Sequence, residues 1–159
     1  MRVFVCGDIH GENNILKLST GNWPEQRELS KEDLVINAGD FGLLWAPDWT
    51  GEELYWARWL TAKRFTTCFV DGNHENFDRL SKLPEVNFYY GKAGVAFENE
   101  NGRILHLKRG EIYQFWDKKV FVFGGGLSID KEHRIVGISW WPEEIRSEEH
   151  TSELQSPNT

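Results

Sequence analysis

A chain of 159 residues, 40% hydrophobic and 27% charged, has the composition of one soluble globular domain and not that of a disordered chain or a membrane protein. The formal net charge of −7, with no block of Lys or Arg, argues against a stable complex with nucleic acid held through its phosphates. An acidic surface still admits a phosphate-ester substrate, because bound cations reverse the local sign where it docks.

Residues 2–6 (RVFVC) are apolar and β-branched and end at Gly7, the pattern of a buried first strand. Met1 enters this strand without a signal-peptide pattern, and no apolar run approaches the about 18 residues of a spanning helix. A cytoplasmic chain without a membrane partner is therefore expected. Cys6 and Cys68 lie in apolar runs and form no CxxC pair, as reduced core thiols do. Residues 12–19 carry Ile15, Leu16 and Leu18 and predict a short helix ended by Thr20, Gly21 and Asn22. Residues 34–38 (LVINA) repeat the buried-strand pattern. Thr50 as N-cap, with Glu53 three residues on, starts an amphipathic helix that runs to about Arg64. Residues 66–70 (TTCFV) give a third strand, so the alternation of strands and helices implies parallel pairing with ligands at the strands' carboxyl ends.

After Pro84 the pattern shortens to strands at 86–90, 103–107, 111–116 and 119–123, the last two joined by a turn at Asp117 and Lys118. Partly antiparallel pairing follows, and with it two packed mixed β-sheets with outer helices. From about residue 146 the sequence turns polar and aperiodic (RSEEHTSELQSPNT), a break in composition, and it resembles the translated read-through of a common sequencing adapter. The expected organisation is a domain over 1–145, partial at its C-terminal end, and a non-native tail over 146–159, with His150 set aside as a ligand.

The three parallel strands end in like punctuation: Gly7-Asp8-Ile9-His10-Gly11, Gly39-Asp40-Phe41-Gly42 and Gly72-Asn73-His74-Glu75. Adjacent parallel strands lie about 4.8 Å apart, so loops at their carboxyl ends converge. Asp8 and His10, two apart in an extended stretch, face one side and can bind one ion. Asp40 can bridge to a second ion, to which Asn73 adds a neutral amide oxygen. This donor set suits manganese first, with iron or zinc possible, rather than calcium. Two such ions bring the pKa of a bridging water from about 15.7 toward about 7 and so supply the nucleophile. His74, out of phase with Asn73, can protonate the leaving group as general acid, and Glu75 can orient its ring.

DxH, GD and GNH[DE] in this order resemble the calcineurin-like metallophosphoesterases. The resemblance implies an α/β calcineurin-like phosphoesterase fold, incomplete at the C-terminus, and a hydrolase of phosphomono- or diesters. It assigns Asp8 and His10 to the first metal, Asp40 to the bridge, Asn73 to the second metal and His74 to catalysis. Two departures stand out. The family's GDxxDR block is here Gly39-Asp40-Phe41-Gly42-Leu43-Leu44-Trp45, without the phosphate-contacting arginine, and its later isolated His and GHxH block are absent before residue 146. The chain is therefore expected to be weakly active or inactive, and a non-catalytic scaffold that binds a protein partner is the alternative. The segment GGGLSIDKEHR with SWWPEE resembles a bacterial and phage subgroup in which this loop flanks the site, which makes Arg134 a phosphate-contact candidate. His106 and His133 are expected in surface or structural roles, Gly124-Gly125-Gly126 in a tight turn, and the tryptophans in packing. Asp40-Phe41-Gly42 spells a kinase motif without the companions a kinase needs.

Overall fold

The computed structural model describes residues 1–145. The tail and the expectation that it is non-native lie outside the described residues. Strands β1 (Val3–Cys6), β2 (Leu34–Ala38), β3 (Thr66–Val70), β4 (Glu85–Phe88), β5 (Gly91–Asn99) and β6 (Gly102–Leu107) form one mixed sheet in the order β1-β2-β3-β6-β5-β4. β1, β2, β3 and β6 run parallel, and β5 and β4 close the far edge antiparallel. β7 (Ile112–Phe115) and β8 (Lys118–Phe121) make a separate two-stranded sheet, so two sheets are present as expected.

The buried strands carry apolar residues on both faces because the large sheet is covered on both. Val35, Phe69 and Ile104 join a core with Ala57 and Leu60 of helix α1 (Gly51–Thr61), whereas Leu34, Ile36, Cys68 and Leu105 join Tyr113 and Phe115 of β7 on the other face. Cys6 packs on the first face and Cys68 belongs to the second, and both thiols are free. Burial pushes the Cys68 thiol up to about 12. No helix among the described residues is long and apolar enough to cross a membrane.

Three local expectations are corrected. Residues 12–19 do not form one helix but two 3₁₀ turns, Gly11–Asn13 and Ile15–Leu18, separated by Asn14 at φ −122° and ψ 4°. β5, the longest strand, was not expected at all: its GKAGVAFEN is short of the residues that mark a strand, and pairing with β4 and β6 decides its conformation. The hairpin turn falls at Trp116 and Asp117, one residue early, with Trp116 at φ +55°. A four-residue helix α2 (Phe77–Leu80) is added after the third loop.

The capping box of α1 is present and reaches further than a cap. Thr50 Oγ1 accepts from the Glu53 N–H at 3.1 Å, and Glu53 Oε2 accepts from the Thr50 N–H at 3.0 Å. Glu53 Oε1 also accepts from the Trp45 and Ala46 N–H groups, and Arg79 of α2 pairs with the same carboxylate at 3.1 Å. Glu53 thus ties α1, α2 and the segment after β2 together while buried. In urea unfolding, Thr50→Ala should lower stability by about 1 kcal/mol. Glu53→Ala should cost about 3 kcal/mol or more, because it strands buried N–H donors and an unpaired guanidinium.

Candidate metal centre

The carboxyl ends of β1, β2 and β3 lie side by side, and their loops are laced by main-chain bonds. The His10 N–H donates to Asp40 O at 2.9 Å, Gly11 N–H to Phe41 O at 2.8 Å, and Gly39 N–H to Val70 O at 3.0 Å. Asp8, His10 and Asp40 each turn the chain through the left-handed region, with φ of +51°, +48° and +49°. Asp and His enter this region more readily than bulky or β-branched residues, and such strain gathers at functional loops.

Asp40 is the meeting point. Its Oδ1 accepts the N–H groups of Asn73 at 2.9 Å and His74 at 3.2 Å. Its Oδ2 lies 3.6 Å from His10 Nε2 and 3.3 Å from His74 Nδ1, and the imidazole centroids are 4.7 Å apart. The three donor atoms lie within 4.8 Å of one another. His74 Nδ1 is buried beside Asp40 Oδ2 and makes no aligned hydrogen bond among the described residues. Donors about 2.1 Å from a common cation stand roughly 3 to 4 Å apart, close to the separations found here, so these residues fit a divalent ion. The close approach also explains Gly72, where an added Cβ would sit 2.1 Å from Asp40 Oδ1.

Asp8 stands apart from this group. Its side chain is exposed and is not among the three converging residues, because left-handed turns at Asp8 and His10 break the extended alternation that would aim both side chains one way. Among the described residues it is the Asp8 carbonyl that is engaged, accepting from Lys17 Nζ at 3.1 Å. Asn73 is close by: its Nδ2 donates to Ser128 Oγ at 3.0 Å, and Oδ1 accepts no hydrogen bond among the described residues.

Glu75 does not orient the His74 ring. It is fully buried, with Oε1 accepting from the Phe41 and Gly42 N–H groups at 2.6 and 3.3 Å and Oε2 from Gly72 N–H at 2.6 Å. It therefore clamps the second loop to the third. Burial, aided by the Asp71 and Asp40 carboxylates, pushes the Glu75 carboxyl up to about 8 against the pull of its N–H donors.

Arg134 reaches the centre from the segment after β8. Nη2 lies 3.4 Å from His74 Nε2, Nη1 donates to Asn73 O and Ser139 O at 3.3 Å, and Nε pairs with Asp130 at 2.8 Å. His106 is buried against Asp71, with Nε2 to Oδ1 at 3.0 Å, a structural role, and His133 is exposed in a 3₁₀ turn. Asp71 also accepts from Arg109 Nε at 2.6 Å, and although burial pushes its carboxyl up, the interactions with His106 and Arg109 outweigh it and hold the carboxyl below the usual range. The triple glycine packs on this corner, since a Cβ on Gly124 would sit 2.5 Å from Asp71 O.

Asp71, Ser128, Glu144 and Trp45 were not anticipated. Trp45 lies 5.8 Å from the His74 ring and 5.9 Å from Trp141, walling a cavity of about 420 Å³ that opens from His10 and His74 toward the start of α1. The signals were weak: Asp71 abuts the Gly72-Asn73-His74 run, and Ser128 follows the glycines, yet neither type announces a partner.

A family model described as calcineurin-like phosphoesterase matches residues 1–156. No curated protein and no solved structure matches the chain.

The raised Glu75 carboxyl gives a signed prediction for the metal-free chain. Between an ordinary value near 4.5 and the folded value of about 8, the folded state holds a proton that the unfolded state has released, so stability falls as pH rises through this window and levels off above it. Thermal unfolding from about pH 5 to about pH 8 should show this slope, and Glu75→Gln should flatten it relative to the parent chain.

Proposed function

Because the chain belongs to the calcineurin-like phosphoesterase family, we propose that it hydrolyses phosphomono- or diesters, with weak turnover, using a water activated by two divalent ions, manganese foremost. The observation that carries this reading is the convergence of His10, Asp40 and His74 at the ends of three parallel strands. His10 would hold the first ion, Asp40 would be shared, and Asn73 would offer its free Oδ1 to the second. Asp8 enters this reading through its place in the motif rather than through its position. When bound, the ions supply Lewis acidity toward the phosphoryl oxygens and lower the pKa of the attacking water.

The chain's own residues do the rest. Arg134, held by Asp130 and by two carbonyls, presents Nη2 of its guanidinium beside His74, a cationic N–H donor for a phosphate oxygen. His74 stands with Nδ1 3.3 Å from Asp40 Oδ2 and with Nε2 turned toward Arg134, 3.4 Å from its Nη2. A phosphate lying against Arg134 brings its leaving oxygen within reach of His74 Nε2. The new P–O bond forms to water oxygen, the old P–O bond breaks, the leaving oxygen takes a proton from His74 Nε2, and the proton given up by the water passes to solvent, from which His74 is recharged. Trp45 and Trp141 shield one side of this proton transfer from solvent.

With manganese and nitrophenyl phosphate esters, Asp40→Asn should abolish metal-dependent turnover, and unchanged turnover would refute the assignment. His74→Gln should lower kcat by about 10²- to 10⁴-fold on an alkyl phosphate and by much less on a nitrophenyl ester, whose leaving group needs no proton. Equal losses on both would remove His74 as the acid.

A further inference from the structure

Glu144 is a buried acid to which the hydrolytic reading gives no role. It is fully buried on the last described 3₁₀ turn, far in sequence from the strand loops. Its Oε2 accepts from Ser128 Oγ at 2.5 Å, its Oε1 lies 3.8 Å from Arg134 Nη1 without a hydrogen bond, and its main-chain oxygen accepts from the Gly126 N–H at 3.0 Å. Both side chains that meet Glu144 also hold Asn73. Ser128 Oγ accepts from the Asn73 amide nitrogen, and Arg134 donates to the Asn73 carbonyl. A fully buried carboxylate is costly unless partners repay it, so this hub has a position it is built to keep.

We infer that Ser128 and Glu144 are positioning residues for the second metal ion. A serine hydroxyl has one proton. With that proton committed to Glu144, Ser128 Oγ can only accept from Asn73, which fixes the amide with nitrogen toward Ser128 and Oδ1 away from it. Without the relay the amide is free to rotate or flip and to present N–H donors where a cation needs an oxygen. The ligand amide of the third strand loop is thus set by a segment that begins 55 residues later. This inference rests on the reading of Asn73 as a ligand. Partners one step behind a ligand typically govern metal affinity by about 10- to 100-fold.

Manganese titration of the full chain by calorimetry tests it apart from hydrolysis. The parent chain should bind two ions in distinguishable steps. Ser128→Ala should weaken only the weaker step, by about 10- to 100-fold, with the tighter step unchanged and thermal unfolding still cooperative. A Ser128→Ala chain that binds both ions as the parent does, or loses both equally, overturns the positioning role. Two ions bound by the parent with selective loss in the variant, but no turnover in either, uphold the positioning role and instead sink the hydrolytic reading.

Discussion

The site depends on one hydrogen-bonded carboxylate. Asp40 stands at the end of the second of three parallel strands, and its Oδ1 accepts the main-chain N–H groups of Asn73 and His74 at the end of the third. That double acceptance fixes the other oxygen, which is left facing two imidazole nitrogens. The approach is possible only because residue 72 has no side chain. Sheet order supplies the adjacency, the left-handed turns at His10 and Asp40 supply the direction, and the N–H groups supply the register.

Much of the remaining architecture keeps this geometry from relaxing. Glu75 clamps the second and third loops through three N–H groups, and Glu53 does the same for the segment that carries Trp45. Asp71, one residue before the GNH run, is held between His106 and Arg109 and receives the triple-glycine segment. Each is a buried carboxylate satisfied by donors from a different element, an expensive device that earns its place by fixing loops that apolar packing alone would leave free. The three strand-end loops are therefore held in place by the chain's own hydrogen bonds.

The parts legible in the sequence were those fixed by local pattern. β1, β2 and β3 announced themselves as apolar runs ending in glycine, and α1 by its capping box. β5 was invisible because its Gly- and Ala-rich stretch takes its conformation from its neighbours. Pairing Asp8 with His10 assumed an extended backbone, and the left-handed turns at both residues made that assumption fail. Glu75 was read from its neighbour His74, yet its partners lie on another loop. Arg134 was singled out from its segment and does stand beside His74, whereas Ser128 and Glu144 gave no local sign because their meaning arises only from mutual contact across the fold.

The central claim is that these three loops create a cation site around Asp40. Diffraction from manganese-soaked crystals tests it most directly. The account predicts an anomalous peak at bonding distance, about 2.0–2.2 Å, from both His10 Nε2 and Asp40 Oδ2. A fully occupied manganese elsewhere on the chain, with that point holding only solvent, would contradict it.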